Sequence, residues 1–176
     1  MDDGKCYIES MGKSKAFEEF LQTQSKVESA EPVDWEDRKQ LWLKSVSQLF
    51  IQIRDWLGFY IDKGYEITIL EDVGDIVIEE KFIGKYKAPQ LRILLGKQQY
   101  LLQPVGTVIY GAKGRIDLYG PYGKRFLIKP ELGEEKRKWY VINPNTRSTI
   151  RKPLSEDVFE QILIELGTPA IVEDDE

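Results

Sequence analysis

The spacing of apolar residues changes at Gly64, and this change constrains the fold more than any other feature of the sequence. From Trp35 up to that point, apolar residues recur every three or four positions, as they do on one face of a helix. Asp34 is suited to cap the start of this helix, and Gly64 is suited to end it. The pattern predicts one long helix over about residues 34–64, which either spans a whole sheet or kinks near Gly58.

After Gly64 the apolar residues alternate with polar ones, in short runs that turn signals separate. The predicted strands are residues 66–70, 76–82, 91–95, 99–103, 107–110, 115–119, 124–129 and 139–142. Because no helical stretch lies between these runs, they indicate an antiparallel meander of roughly seven or eight strands and not βαβ units. A last amphipathic helix, which Ser155 caps and Gly167 ends, completes an α+β fold.

The limits of the patterned region predict the domain organisation. Residues 1–33 are poorly patterned and hold one weak helix, residues 34–168 form a single α+β domain, and residues 169–176 are an acidic tail. We expect no signal peptide and no membrane span, because no basic-then-apolar start and no apolar run of about 18 residues is found. These features favour a cytoplasmic protein. The surplus length of the long helix leaves room for a homodimer contact.

Two residue types are scarce enough to exclude whole classes of chemistry. The chain has one cysteine, Cys6, and no histidine. A single cysteine excludes intramolecular disulfides, and the lack of histidine excludes Ser-His-Asp and Cys-His catalysis as well as His-ligated zinc. We therefore expect no cofactor or metal and lean towards a protein that is not an enzyme.

One catalytic hypothesis remains, that of a Mg²⁺-dependent nuclease. Glu79 and Lys81 form an acid-x-lysine triplet at the end of an apolar strand, with Asp72 and Asp75 upstream. Carboxylates of this kind hold Mg²⁺, and the lysine would support a water nucleophile. However, Asp72 and Asp75 are expected in the turn of a tight hairpin, and acids beside lysines on strands are usually cross-strand ion pairs. We favour the ion-pair interpretation.

A second acidic residue that attracts interest is Asp117, which stands in an otherwise apolar Ile-Asp-Leu run. Lys129 would be its partner in a second catalytic pair. If Asp117 points outward it is a surface charge beside Arg115, and if it points inward it needs a partner such as Arg115 or the turn amides near Gly111. We expect a structural role for it.

Charge is segregated along the chain, whose formal net charge is -5. Residues 111–152, here called the basic segment, hold eleven lysines and arginines against four acids, whereas residues 153–176 hold eight acids and no basic residue. The basic segment predicts a surface for an anionic partner. Its candidate binding residues are Lys113, Arg115, Lys124, Arg125, Lys138, Arg147 and Arg151.

The nature of that partner stays open between a protein and a nucleic acid. Clustered cations attract phosphates, aromatic rings among them could stack on unpaired bases, and the turns Gly111–Gly114 and Gly120–Gly123 would let backbone amides approach an anion. Two alternatives weigh against a ligand site, since half-buried sheets ordinarily have charged outer faces and the acidic tail could cover the segment. A sequence pI near 5.1 also argues against a dedicated DNA-binding protein.

Three stretches of the sheet region share a pattern with other proteins. Pro104–Thr107, Gly111–Leu118 and Gly120–Gly123, read as PVGT…GAKGRIDL…GP.G, resemble a pattern in uncharacterised bacterial proteins. The resemblance covers the long helix and the sheet but not the first thirty residues, and it implies a bacterial origin without any established activity. The favoured hypothesis is therefore a non-enzymatic binding or accessory protein, with nucleic-acid binding second and the nuclease third.

Overall fold

The computed structural model describes residues 15–28, 32–70, 75–108, 112–130, 138–146 and 151–170. The chain divides into two compact units, Met1–Val33 and Asp34–Glu176. The first unit contains helix α1 (Lys15–Glu28), on which Phe17 and Leu21 are exposed. Within the described ranges, no helix combines the length and the apolar character that crossing a membrane requires.

Helix α2 (Trp35–Asp62) is the long helix that the sequence predicts, and it continues without a break through Gly58. The Asp34 carboxylate caps its start by accepting a hydrogen bond of 2.9 Å from the Asp37 amide. At its end Gly64 has φ +88°, and the Gly64 and Tyr65 amides donate back to helix carbonyls at 2.9 and 3.2 Å. This is a Schellman ending, which needs a left-handed residue and so favours glycine.

Within the residues that the structure describes, nine strands form two antiparallel sheets. The strands are β1 (Ile67–Leu70), β2 (Ile76–Glu80), β3 (Gly84–Ala88), β4 (Leu91–Leu95), β5 (Gln98–Gly106), β6 (Ala112–Gly120), β7 (Gly123–Pro130), β8 (Tyr140–Ile142) and β9 (Lys152–Pro153). Seven of them form one sheet in the order β1-β4-β5-β6-β7-β8-β9, and β2 pairs with β3 in a separate hairpin. Helix α3 (Glu156–Gly167) follows. The predicted α+β fold with a meander and a terminal helix is confirmed.

Two details of the predicted strands are different in the structure. Strands β3 and β9 were not predicted, because β3 buries only Tyr86 and Ala88 among two lysines and a glycine, and β9 has two residues. In the predicted run 107–110, Thr107 and Val108 lie beyond the end of β5 and are not in a strand, and the other two residues lie outside the described ranges. In addition, β1 pairs with β4 and not with β2, so the described strands on either side of Asp75 do not form a tight hairpin with each other.

Helices α2 and α3 pack on the same face of the seven-stranded sheet. Gly114 lies under the ring of Trp42 from α2, and Gly120 lies under Leu166 from α3. These two glycines are six residues apart on β6, so they point to one face. We call this the covered face, and its buried residues include Val46, Leu49, Ile53, Ile93, Tyr100, Leu102, Ile116, Leu118, Leu127, Phe159 and Leu163.

The end of α3 is held by donors from the sheet. The Tyr100 hydroxyl donates to the Leu163 carbonyl at 2.9 Å, the Gln98 amide to the Gly167 carbonyl at 2.7 Å, and the Tyr122 amide to the Leu166 carbonyl at 3.0 Å. The last carbonyls of a helix have no partner within the helix. These contacts satisfy them and attach α3 to β5 and to the turn after β6.

Candidate binding surface

The opposite face of the sheet, which we call the open face, presents the alternate residues of β6 and β7. On β6 these residues are Arg115, Asp117 and Tyr119, because Ile116 and Leu118 between them lie in the core. On β7 they include Lys124 and Phe126, and Phe126 lies directly opposite Asp117. These five residues are called the open-face cluster below.

Asp117 is the centre of the open-face cluster. Arg115 donates to the Asp117 carboxylate at 2.8 Å, and the Tyr119 hydroxyl donates to it at 3.3 Å. Although Asp117 points away from the helices, only 6% of its side chain is exposed. Asp117 therefore points to the open face, as a surface charge would, but it is buried and has Arg115 as its partner, as an inward-pointing carboxylate would need. Lys129 points to the covered face, so the catalytic pair of Asp117 with Lys129 is not formed.

Two cations lie over the ring of Phe126. The Arg115 guanidinium carbon is 4.5 Å and the Lys124 amine 5.3 Å from the ring centroid, and the same amine lies 6.0 Å from the Tyr119 ring. Such distances allow a cation–π attraction of about 0.5–1 kcal/mol at exposed sites. Burial raises the pKa of Tyr119, and the neighbouring Asp117 carboxylate raises it further. The phenol of Tyr119 therefore stays neutral beside the Lys124 amine.

The remaining candidate cations are not gathered on the open face. Arg125 points to the covered face and forms an ion pair of 2.9 Å with Glu165 of α3. Lys113 is exposed at an irregular position of β6, and Lys138 and Arg151 are exposed in the segments around β8 and β9. Arg147 lies outside the described residues. The candidate binding residues of the basic segment thus do not all lie on one face, since adjacent residues of one strand point to opposite faces.

The covered face holds a second basic residue, Lys129, above α2. Its amine donates to the Ser45 hydroxyl at 2.7 Å and lies 5.8 Å from the Trp139 ring. Burial lowers the pKa of Lys129, and the nearby charge of Lys113 lowers it further. This lysine is part of the packing between α2 and the sheet.

A cleft of about 400 Å³ lies between α3 and strands β7 to β9. Its lining consists of Arg125, Val141, Asn143, Thr146, Lys152, Asp157, Val158, Gln161, Ile162 and Glu165. Although burial raises the pKa of Glu165, hydrogen bonds from Arg125 and Gln161 outweigh it, and the pKa lies below its ordinary value. The charges of the cleft are balanced, with two cations from the strands facing two acids from the helix.

The residues of the nuclease hypothesis do not converge. Glu79 lies 3.7 Å from Lys85 across the β2–β3 hairpin, Lys81 lies over the Phe82 ring at 5.3 Å, and Asp75 is exposed before β2. Asp72 lies outside the described residues. Among the residues that the structure describes, no three acidic or cysteine side chains form a group that could hold a metal ion. Glu79 has the geometry of the cross-strand ion pair.

Glu80, the neighbour of Glu79, has a structural task. Its carboxylate accepts hydrogen bonds from the Tyr86 hydroxyl, from the Thr107 amide at 3.0 Å and from the Val108 amide at 2.5 Å. Gly106 has φ +153°, and a Cβ atom there would lie 2.9 Å from this carboxylate. The glycine thus allows the chain after β5 to pass close to Glu80.

Thr107 is the centre of a second set of hydrogen bonds at the same place. It is fully buried, accepts a bond of 3.1 Å from Arg38 of α2 through its hydroxyl, and donates from that hydroxyl to the Lys113 carbonyl at 2.8 Å. Arg38 also donates to the Thr107 carbonyl at 2.8 Å. These contacts join the start of α2 to the segment between β5 and β6. No local pattern in the sequence predicts these contacts, because 69 residues separate Arg38 from Thr107.

Several residues of the PVGT…GAKGRIDL…GP.G pattern therefore have packing roles. Gly106 and Thr107 close the junction with Glu80 and Arg38, Gly114 admits Trp42, and Asp117 pairs with Arg115. The Gly120–Gly123 turn does not offer all its amides to an anion, since the Tyr122 amide already donates to α3. No protein-family model matches the chain, and no curated protein or solved structure is significantly similar to it.

Proposed function

We propose that this chain is a cytoplasmic, non-enzymatic binding protein whose open-face cluster contacts an anionic partner. The observation that carries the proposal is the arrangement of Arg115 and Lys124 over Phe126, with 38% of Tyr119 exposed beside them. Cations held over aromatic rings are preorganised, so an anion that approaches them meets charges already in position.

Lys124 is the cation of the cluster that is free to meet an anion. The charge of Arg115 is already balanced by Asp117, whereas no acidic partner of Lys124 is found within the described part of the chain. Two of the candidate catalytic carboxylates have structural partners, since Asp117 accepts hydrogen bonds from Arg115 and Tyr119 and Glu79 pairs with Lys85. This distribution supports binding over catalysis.

A single-stranded nucleic acid is the second candidate for the partner, and the exposed ring of Tyr119 favours it. A base can stack on such a ring, and base–aromatic stacking contributes about 1–3 kcal/mol per base. The Lys124 amine beside the ring would then meet the adjacent phosphate. An acidic protein surface would use the lysine but would gain less from the ring.

The test is fluorescence anisotropy with two labelled probes, a single-stranded oligonucleotide and an acidic peptide, at low and at moderate salt. Lys124→Glu is expected to weaken binding of the preferred probe by about tenfold or more, because it replaces an attractive charge with a repulsive one. The matched control is Lys87→Glu, an exposed lysine on β3 in the other sheet, which should change binding less than about twofold.

The choice of variant matters, because Arg115→Ala would leave the buried Asp117 carboxylate without its partner and would report on folding. Tyr119→Ala separates the two partner classes, since it should weaken oligonucleotide binding strongly and peptide binding little. The proposal is wrong if neither probe shows salt-sensitive binding, or if Lys124→Glu and Lys87→Glu have equal effects.

A further inference from the structure

One row of side chains crosses the open face from strand β4 to strand β7. Arg92 of β4 lies opposite Leu101 of β5, and Leu101 lies opposite Tyr119 of β6. Tyr119 in turn lies opposite Lys124 of β7. Because directly opposite residues of neighbouring strands point to the same face, these four residues form what we call the cross-strand row. With strands about 4.8 Å apart, the backbone positions of its two cations are about 14 Å from each other.

Arg92 brings to the open face a positive charge that the described chain does not balance. Its Nε atom is buried without a hydrogen-bond partner, and its side chain makes no hydrogen bond or ion pair within the described residues. A buried donor without a partner is unusual in a folded protein and calls for an explanation. Because Arg92 is partly exposed, an anion from solution can approach its side chain and supply the countercharge.

The open face of strands β4 to β7 is positively charged, although the whole chain has a formal net charge of -5. Arg92, Arg115 and Lys124 are its cations, and Asp117 is its one carboxylate among the described residues. Arg115 balances Asp117 in an ion pair of 2.8 Å. Two positive charges therefore remain, one at each end of the cross-strand row, and a polyanion that lies along the row meets both of them.

The surface between these two charges is apolar and aromatic. Leu101 is partly exposed, and 38% of Tyr119 is exposed, with the Lys124 amine 6.0 Å from the ring centroid. A nucleic acid strand alternates charged phosphates with flat bases that stack on such rings. An acidic peptide would pair with the cations but would leave the apolar middle of the row without a matching group. The composition of the row therefore favours a nucleic acid.

Two amide side chains lie beside the cross-strand row on β5. Gln99 and Gln103 are each two residues from Leu101, so they also point to the open face. Neither side chain makes a hydrogen bond within the described part of the chain. Because an amide group both donates and accepts, these glutamines offer partners to the edge of an unpaired base that lies on the same face.

We propose that a single-stranded nucleic acid crosses the strands of the open face along the cross-strand row. Its phosphates bind Arg92 at one end and Lys124 at the other, and a base between them stacks on Tyr119. This inference rests on the proposed function, because it names the anionic partner of the same surface, and it adds Arg92, which that function does not require.

The first test is the salt dependence of fluorescence anisotropy with labelled oligothymidylate and oligouridylate of about ten nucleotides. Each phosphate contact of a single strand contributes about 0.7 to the slope of log K against log salt concentration. Arg92→Gln should therefore make this slope shallower by about 0.7, whereas Arg92→Lys should leave it unchanged. The matched control is Lys87→Gln, which removes the same charge from β3 and should also leave the slope unchanged. The tighter of the two probes identifies the preferred sugar.

The second test separates stacking from structure at Tyr119. Tyr119→Phe and Tyr119→Leu both lose the hydroxyl that donates to Asp117, but only the phenylalanine variant keeps an aromatic ring. Tyr119→Leu should therefore weaken oligonucleotide binding at least about fivefold, whereas Tyr119→Phe should change it less than about twofold. Equal weakening by the two substitutions contradicts stacking on this ring.

The results distinguish this inference from the proposed function. If Lys124→Glu weakens oligonucleotide binding but Arg92→Gln and Lys87→Gln have equal effects, the strand does not reach β4, so the inference is wrong and the proposed function holds. Salt-sensitive binding of the acidic peptide without binding of either oligonucleotide has the same meaning. Absence of binding by all three probes overturns both.

Discussion

Each face of the seven-stranded sheet has an ion pair between an arginine and a carboxylate, and the two carboxylates differ in how far they are exposed to solvent. Arg115 with Asp117 on the open face and Arg125 with Glu165 on the covered face have shortest distances of 2.8 and 2.9 Å. Only 6% of the Asp117 side chain is exposed, against 42% of Glu165. Among the described residues, the more deeply buried carboxylate is thus on the face opposite α2 and α3, where neighbouring side chains enclose it.

The position of a residue relative to the helices therefore does not decide how much its ion pair contributes to the free energy of unfolding. The free energy needed to break a pair depends on whether the remaining charge can reach water. On the covered face, the packing of the helices on the sheet adds to the free energy of unfolding through close apolar contacts, such as that of Trp42 with Gly114.

The largest effect is expected at Gly114 on the covered face. Gly114→Ala places a Cβ atom inside the space of the Trp42 ring, so α2 must move or the ring must leave its position. We expect the free energy of unfolding to fall by about 3 kcal/mol, the upper end for overpacked cores. Urea denaturation followed by tryptophan fluorescence measures this change.

The matched control for Gly114→Ala is Gly58→Ala in α2. Nothing lies within 4 Å of a Cβ atom at Gly58, and alanine is the better helix former. This variant should therefore raise the free energy of unfolding, by up to about 1 kcal/mol. If both substitutions changed stability by the same amount, close contact between α2 and β6 would not be important for the covered face.

The second largest change in the free energy of unfolding is expected at the two ion pairs. Arg115→Ala leaves the buried Asp117 carboxylate unpaired on the open face and should cost about 3 kcal/mol of stability. Asp117→Ala should cost less, because the remaining Arg115, 30% of whose side chain is exposed, can reach water. Arg125→Ala on the covered face should cost less than about 1 kcal/mol from the lost charge, since Glu165 is solvated. Equal losses of stability in Arg115→Ala and Arg125→Ala would contradict the ranking by burial of the two carboxylates.

Much of the fold follows from the sequence because its signals are local. The change of period at Gly64, the cap at Asp34 and the Ser155 cap each depend on residues within one helical turn, and each is present in the structure. The pairing of β1 with β4 is a contact between distant segments, so no local pattern predicts it. Strand β3 was missed because its alternation involves only two apolar residues.

The candidate site was predicted less well, and the reason is geometrical. The basic segment marks the correct strands, but Lys124 and Arg125 are adjacent in β7 and so point to opposite faces. Which face stays open depends on where α2 and α3 pack. Gly114 and Gly120 mark that place, because they leave room for Trp42 of α2 and Leu166 of α3. The glycines of the pattern thus predict the position of the helices better than they predict a ligand.

The smallest effect is the pH dependence of the Arg125–Glu165 pair. Because the folded chain lowers the pKa of Glu165 below its ordinary value of 4.5, the pair stabilises the protein above that pH and loses its effect as pH falls through the folded value. Since 42% of the carboxylate side chain is exposed, solvent screening limits the contribution to less than about 1 kcal/mol. Wild type should therefore exceed Glu165→Gln in stability at neutral pH, and this difference should shrink as the solution is acidified below 4.5. Urea titrations of both proteins at several pH values and two salt concentrations measure it, and high salt should reduce it. A difference that stays constant as the pH falls would show that Glu165 acts through packing against Arg125 and Gln161 and not through its charge.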